Sequence, residues 1–416
     1  MLARCSILGA FGTLILCGAA LGQTASSIQG LDEGSSQASS QNSDGQVRVT
    51  TFGALSFEGI YSNKRLVSPS SYLYVSPDFG LSQNTTELSA RATSLGFAVT
   101  GPQVADFHSG GLILLYAFGP EYFQNFYGIT IFQGYGELKN EDWRFSFGLM
   151  QDLINPLMPT TLNWGLGGAA GNLGFIRAQA RGERYFHLSE ISMLTTQVAL
   201  TNAIASEFAT PVAGDRLSLG ESNGWPNVEG RIALSLGELD KTAQPAPRRP
   251  FELGMSAMVG EVRTTTSDFL TPPVRETSSS WMTGLDARWN MTKRFGVQGE
   301  AFYGQALGSY LAGAAQGLNT DTFQPIRSVG GFGEAYYYWT PTLHSHAGYG
   351  IDDPIDSEVA NTQRVRNQII FGNLIWDATK NLQLGGELGN LSTGYKSPLL
   401  GDSSAWIVHT RIQLRF

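Results

Sequence analysis

From Val47 to Phe416 the sequence is a series of short segments in which apolar and polar residues alternate, joined by links that are alternately short and long. Successive side chains of a β-strand point to opposite faces, so each segment predicts a strand with one apolar face. A strand of about 11 residues tilted near 45° rises about 26 Å, which matches the apolar band of a membrane. The sequence predicts sixteen strands, at residues 47–60, 86–101, 109–119, 127–139, 142–152, 175–187, 190–202, 225–237, 250–263, 279–291, 294–306, 328–340, 342–352, 366–377, 380–392 and 404–416.

The links between these segments favour a closed antiparallel barrel, in which short turns lie at one end and longer loops at the other. The minimal links are Asn140-Glu141, Leu188-Ser189, Thr292-Lys293, Pro341 and Ala378-Thr379, and the long links are 61–85, 153–174, 203–224, 264–278, 307–327, 353–365 and 393–403. Two links depart from the pattern. The link near 120–126 is short where a loop is due, and the link near 238–249 is long where a turn is due. We therefore predict an all-β fold, a transmembrane antiparallel β-barrel of about 16 strands over residues 47–416.

The composition agrees with a membrane barrel. Only 15% of the residues are charged, against about a quarter in soluble proteins, and 50 of the 416 residues are glycine. No apolar run after the N-terminus reaches the about 18 residues that a transmembrane helix needs. In the last predicted strand, apolar residues from Trp406 to Phe416 share one face, and polar residues from His409 to Arg415 share the other. A soluble sandwich would also alternate, but aromatic residues near many strand ends favour a membrane interface.

The N-terminus predicts export. Residues 1–22 resemble a signal peptide, with Arg4, a short apolar run and the small residues Ala20 and Gly22 before a cleavage site at Gln23. Cys17 could mark a lipoprotein instead, but the bulky Leu16 disfavours that alternative. Residues 23–46 are rich in Ser, Gln and Gly, and we expect a disordered periplasmic lead. The terminal Phe416 predicts recognition by the barrel-assembly machinery of the outer membrane.

The link from Leu153 to Gly174 and the strand after it predict a constriction. A loop of this length with prolines and several glycines can fold inward and narrow a wide barrel, although a plain surface loop is the alternative. Charge facing lipid costs about 2–4 kcal/mol per residue, so the charged face of the next strand must line the interior. The candidate pore residues are Arg177, Gln179, Arg181, Glu183, Arg144, Arg91, Arg48 and Asp152. A basic wall opposite an uncharged loop favours anions, unless acids such as Glu58, Glu87, Glu183 and Glu229 neutralise the arginines.

The segment from Trp143 to Tyr185 resembles the DcaP-like family of outer-membrane porins. In that family a tryptophan-containing strand, a loop rich in Pro, Thr, Leu and Asn, a glycine stretch and an arginine-bearing strand follow one another. The pieces from Glu87 to Phe97 and from Gly136 to Leu138 are similar to the same family, so the likeness covers residues 47–187 and continues only in texture beyond them. The resemblance implies a sixteen-stranded barrel, a homotrimer and uptake of small, often anionic, organic solutes.

Other chemistry is absent from the sequence. It has no nucleophile elbow, phosphate-binding loop or zinc helix motif, so we expect no enzyme activity and no cofactor. His344 and His346 share a strand face and could bind a metal, but two ligands without a third favour no metal site; Arg248-Arg249 reads as a solvated turn and not a nucleic-acid patch. We therefore predict a porin in the outer membrane of a Gram-negative-type bacterium, in contact with lipid and passing small polar solutes, preferably anions. A lipase-like barrel enzyme and a non-conducting structural barrel are the alternatives.

Overall fold

A computed structural model describes residues 47–67, 70, 72–77, 83–117, 128–163, 165–174, 176–203, 223–240, 248–266 and 274–416. The predicted signal peptide and the predicted lead at 23–46 lie outside these residues. The described residues form sixteen barrel strands. They are β1 Arg48–Ser62, β2 in two parts at Thr85–Ser89 and Ser94–Val104, β3 Phe107–Tyr116, β4 Thr130–Lys139, β5 Trp143–Gln151, β6 Ile176–Ser189, β7 Ser192–Thr201, β8 Asn227–Leu236, β9 Phe251–Thr266, β10 Val274–Trp289, β11 Phe295–Gln305, β12 Arg327–Tyr338, β13 Leu343–Pro354, β14 Arg364–Asp377, β15 Leu382–Tyr395 and β16 Asp402–Arg415.

The strands close into a barrel because each pairs antiparallel with its chain neighbours and β1 also pairs with β16. Closure runs to the last residue, where the backbone N–H of Phe416 donates to Gly53 O and Gly53 N–H donates to Phe416 O, both at 3.0 Å. Both parts of β2 pair with β1. The break between them, around Arg91, is one of several local irregularities in the ladder, which also shifts register at Thr100/Gln103 and Leu114/Leu115. Within the described residues, every barrel strand therefore has a partner on both sides, as a membrane requires.

Burial alternates along the strands as the sequence predicts. In β16 the side chains of Trp406, Val408 and Ile412 are exposed on the outside, whereas His409 and Arg411 are buried inside. The same alternation places large apolar side chains outward on most other strands, including Phe147 on β5. An apolar exterior with a polar interior is the reverse of a soluble protein and suits a lipid environment. In the described part of the chain, no helix has both the length and the apolar character needed to cross a bilayer.

The predicted strands are confirmed in number, order and approximate position. One prediction about the links was wrong. Strand β3 ends at Tyr116 and β4 begins at Thr130, so the link between them is long and the alternation of turns and loops has no exception there. Residues 118–127, where the sequence predicts the ends of these two strands, lie outside the described residues. The long link after β8 is retained, with an isolated bridge between Asp240 and Arg248.

Three of the long links fold into the barrel. We call their described residues L1 (63–67, 70, 72–77 and 83–84), L3 (152–163 and 165–174) and L6 (306–326), and we call the two ends of the barrel the loop end and the turn end. Leu73 of L1, Ala169 of L3 and Ala315 of L6 are buried against one another. The inward folding predicted for the link from Leu153 to Gly174 is therefore observed, and three loops share the interior of the loop end.

Candidate pore constriction

Loop L3 is held to the barrel wall by four glutamates from four strands, which we call the carboxylate ladder. Each glutamate accepts a hydrogen bond from a backbone N–H group of L3. The pairs are Leu153 N to Glu229 of β8 at 2.8 Å, Leu157 N to Glu300 of β11 at 2.7 Å, Thr160 N to Glu334 of β12 at 2.5 Å and Leu162 N to Glu387 of β15 at 2.8 Å. The loop therefore follows the inner wall from β8 to β15.

Side-chain amides satisfy the carbonyl groups of the same loop. Asn373 of β14 donates to Thr160 O at 2.6 Å, and Gln298 of β11 donates to Met158 O at 2.8 Å. A loop inside a protein carries N–H and C=O groups that cost free energy if they lack partners. The wall supplies acceptors and donors in turn along the path of L3. This explains how an irregular segment is stable inside the barrel.

The base of L3 is fixed by Arg177 on β6. Its Nε lies 2.8 Å from Asp152 Oδ1, and both side chains are fully enclosed. Its guanidinium also stacks over the ring of Tyr310 in L6, 3.7 Å from the ring centre, and donates to Ser309 O at 2.8 Å. Arg177 therefore joins the first residue of L3 to the beginning of L6, at Ser309 and Tyr310.

Two tyrosines carried by loops extend the ladder. Tyr310 of L6 donates to Glu229 at 3.2 Å, and Tyr72 of L1 donates to Glu387 at 3.2 Å. Burial raises the pKa of both tyrosines above the ordinary value, and the neighbouring carboxylates add to the shift. Both hydroxyls therefore keep their protons and act as donors at neutral pH. The same carboxylates thus hold L3 together with L1 and L6.

Close backbone contact requires glycine in the return limb of L3. Gly171 has φ +105°, and a Cβ there would lie 2.1 Å from Gly331 O and 2.6 Å from Ile351 N. These are backbone atoms of β12 and β13, which cannot move aside without breaking the ladder of strand hydrogen bonds. Gly171 therefore lets L3 lie directly against the barrel wall.

The arginines on β5 and β6 form the candidate basic wall. Arg144 Nε lies 2.6 Å from Glu137, and its Nη1 lies 3.3 Å from Glu183. Arg181 donates to Gln151 O at 2.6 Å and lies 3.9 Å from Glu183. The side chains of Arg144 and Arg181 are 14% and 13% exposed, respectively, whereas those of Glu137 and Glu183 are 8% and 4% exposed. The guanidinium groups therefore face the interior space more than the carboxylates do.

The remaining predicted pore residues are dispersed. Gln179 is buried and donates to Met150 O at 3.0 Å. Arg91 lies at the break in β2 and pairs with Glu87 at 2.7 Å. Arg48 lies at the exposed start of β1, opposite Thr100, so three strands separate it from β5. The structure brings together Arg144, Arg181, Glu183 and Gln179, places Arg177 and Asp152 beneath the loops, and leaves Arg91 and Arg48 apart.

Sequence reasoning missed the carboxylate ladder. Glu300, Glu334 and Glu387 each stand alone on the inner face of a predicted strand, and the loop that they bind lies far away in sequence. The one available signal was the cost of a lone carboxylate inside a barrel, which implies a partner without naming it. Among the described residues, no group of three or more His, Cys, Asp and Glu side chains is arranged to hold a metal ion.

Comparison with known proteins shows the fold. No family model and no curated protein sequence matches the chain. Among solved structures, the outer membrane channel DcaP of Acinetobacter baumannii is similar with a TM-score of 0.68 and 17% identity, over 90% of this chain and 99% of that one. Pseudomonas putida OprB is similar with a TM-score of 0.53 and 11% identity, over 90% and 95%. The trimer form of Vibrio cholerae OmpT, an outer membrane protein, has a TM-score of 0.53 and 8% identity, over 89% and 99%. The chain therefore has the fold of these outer-membrane barrels, including that of DcaP.

Proposed function

We propose that this chain is an outer-membrane porin, a passive diffusion channel for small polar solutes. The observation that carries the proposal is a loop inside the barrel, held along one wall by four glutamates, beside a second wall with partly exposed arginines. A sixteen-stranded barrel encloses an aqueous lumen, and a loop fixed inside it sets the width of the passage. The likeness to an outer membrane channel of Acinetobacter baumannii agrees with this function.

We further propose that the channel prefers anions, such as small organic acids. A ring or wall of fixed charge selects solutes of the opposite sign. On the basic wall, Arg144 and Arg181 are more exposed than the carboxylates that pair with them. On the other wall, the carboxylates of the ladder are turned toward the N–H groups of L3 and covered by the loop. A solute in the lumen therefore meets guanidinium groups before it meets carboxylates.

Location and assembly are part of the proposal. The turn end is assigned to the periplasm and the loop end to the outside, after cleavage of residues 1–22. The pairing of Phe416 with Gly53 makes the C-terminal strand the closing strand of the barrel, which supports its role as the segment that the assembly machinery recognises. A homotrimer is proposed from the resemblance and from the trimer form of Vibrio cholerae OmpT. Native mass spectrometry in detergent measures the stoichiometry directly.

Reversal potential in a salt gradient across a planar bilayer tests the function. The wild-type channel is expected to conduct and to show a reversal potential of the anion-selective sign. Arg144→Gln combined with Arg181→Gln removes both exposed guanidiniums and is expected to shift the reversal potential toward zero or cation selectivity. Arg184→Gln is the matched control, because Arg184 lies on the outer face of β6 and stacks on Trp143, 4.8 Å from the ring centre.

Two results would contradict the proposal in different ways. A folded protein that leaves the bilayer without conductance would exclude the porin. A conducting protein whose selectivity is the same in the double variant and in the wild type would remove Arg144 and Arg181 from the filter. A lipid-hydrolysis assay on the same sample separates the porin from a barrel enzyme.

A further inference from the structure

Two histidines of β13 face each other inside the barrel near its turn end. His344 Nδ1 lies 2.8 Å from His346 Nε2. The other nitrogen of each ring faces a carboxylate, since His346 Nδ1 lies 2.6 Å from Glu334 Oε1 and His344 Nε2 lies 3.5 Å from Asp377 Oδ2. The four side chains form one chain of polar atoms that runs from Asp377 to Glu334.

This arrangement fixes where the protons can lie. We call His344 Nε2 and His346 Nδ1, which face carboxylates, the outer nitrogens, and His344 Nδ1 and His346 Nε2 the inner nitrogens. Only one proton fits between the two inner nitrogens, because a second would place two N–H groups head to head. The two imidazoles therefore lie between two carboxylates, with one nitrogen of each ring directed at the other ring.

We propose that His344 and His346 bind a divalent transition-metal ion, such as Ni²⁺ or Cu²⁺, through His344 Nδ1 and His346 Nε2. Metal-binding histidines usually donate their other ring N–H to a carboxylate, and both histidines here have that partner in place. Two nitrogens bound cis to one metal at about 2.0 Å lie about 2.9 Å apart, close to the separation of the inner nitrogens, and square-planar or octahedral ions favour this angle. The ion replaces the shared proton, which leaves to solvent, and its two charges balance the two carboxylates.

The site is held in place and reachable. The ring of Tyr338 lies 5.0 Å from that of His344, and the ring of Tyr336 lies 5.7 Å from that of His346, so both imidazoles are packed. Side-chain exposure falls from 34% at Asp377 through 11% at His344 and 6% at His346 to 0% at Glu334, so the cluster is most exposed at its Asp377 end. Water is expected to complete the coordination. Other charged groups near the cluster in the described residues include Arg415 beside Asp377, Arg248 beside Tyr336 and Tyr338, Arg288 beside Tyr336, and Glu387, which shares Asn373 with His346.

The side chain of Glu334 connects the histidine pair to L3. Glu334 accepts from His346 through Oε1 and from Thr160 N of L3 through Oε2. A metal ion on the histidines therefore fixes the orientation of a carboxylate that holds L3. The ion is thereby linked to the candidate constriction, but metal binding can be measured whether or not the protein conducts.

Isothermal titration of the folded, detergent-solubilised protein with Ni²⁺ tests the proposal. One ion per chain is expected to bind, with release of about one proton. His344→Gln or His346→Gln is expected to weaken binding at least tenfold, because loss of even a hydrogen-bond partner of a metal ligand costs about 10–100-fold in affinity. His187→Gln is the matched control, because His187 is exposed at the turn end and its imidazole contacts Glu141 O, at 3.1 Å.

Electron paramagnetic resonance of the protein loaded with Cu²⁺ supplies a second readout, in which two imidazole nitrogens are expected in the wild type and one in each variant. Heat-modifiable migration on gels identifies variants that have folded. No saturable binding to the wild type, or equal affinity in the wild type and in folded His344→Gln, would overturn the proposal. Neither result bears on conduction, so failure of the metal site leaves the proposed porin untouched.

Discussion

The guanidinium of Arg177 lies 3.7 Å above the ring centre of Tyr310, and the contact joins a barrel strand to a loop that enters from another part of the wall. The same arginine pairs with Asp152 at the start of L3. L3 and L6, two of the three inward loops, therefore depend on one enclosed cation. Its position suits a structural role more than direct contact with solutes.

Replacement of Arg177 by Leu is expected to destabilise the barrel. Removing one partner of a buried ion pair leaves the other charge unpaired, at a cost of about 3–5 kcal/mol. The midpoint of thermal unfolding, followed by heat-modifiable migration, measures the loss. The double variant with Asp152→Asn is expected to recover part of it, whereas additive losses in the two single variants would show that the pair is not coupled.

Replacement of Gly171 by Ala is expected to displace the return limb of L3. The new Cβ would overlap backbone atoms of β12 and β13, which cannot give way cheaply. Gly167→Ala is the control for backbone strain alone, because Gly167 also has a positive φ of +70° but its Cβ would make only ordinary contacts of 3.7 Å or more. Open-channel current noise and protease cleavage within L3 should rise more in Gly171→Ala. Equal effects of the two substitutions would contradict the close contact.

Replacement of Glu387 by Gln is expected to loosen L1 and L3 together. Glu387 accepts hydrogen bonds from Tyr72, Thr161, Leu162 and Asn373, and an amide turns one accepting oxygen into a donor. Buried groups left without partners cost about 1–3 kcal/mol each. Glu58→Gln is the matched control, since Glu58 is fully buried but neither of its oxygens accepts a hydrogen bond within the described part of the chain. A loss in Glu58→Gln as large as that in Glu387→Gln would argue against the ladder.

Stability is expected to fall at alkaline pH partly because of Tyr310. Burial raises its pKa in the folded protein well above the ordinary value of 10.0. The unfolded chain therefore loses the phenolic proton first, so the stabilisation is complete below pH 10.0 and is lost as the pH rises toward the folded pKa. Thermal unfolding between about pH 8 and about pH 11 should show a shallower decline in Tyr310→Phe than in the wild type. Parallel declines would exclude this contribution.

Much of the fold was predictable because the strands carry their own signal. The alternation of apolar and polar residues is enough to put Trp406 outside and His409 inside, and to put Arg177 and Arg181 on one inner face. The sequence could not show which of the two arginines remains exposed. That depends on Tyr310, which reaches Arg177 from a loop more than a hundred residues away. The ladder was hidden for the same reason, since the link between Glu387 and Leu162 exists only after the barrel has closed.

The carboxylate ladder holds L3 by its main chain, and this has an evolutionary consequence. Main-chain N–H groups are the same for every amino acid except proline, so these four hydrogen bonds do not depend on the side chains at Leu153, Leu157, Thr160 and Leu162. Pro156, Met158 and Thr160 remain partly exposed on L3. Substitutions at such positions can therefore change the lining of the barrel interior while the hydrogen bonds that fix the path of the loop stay unchanged.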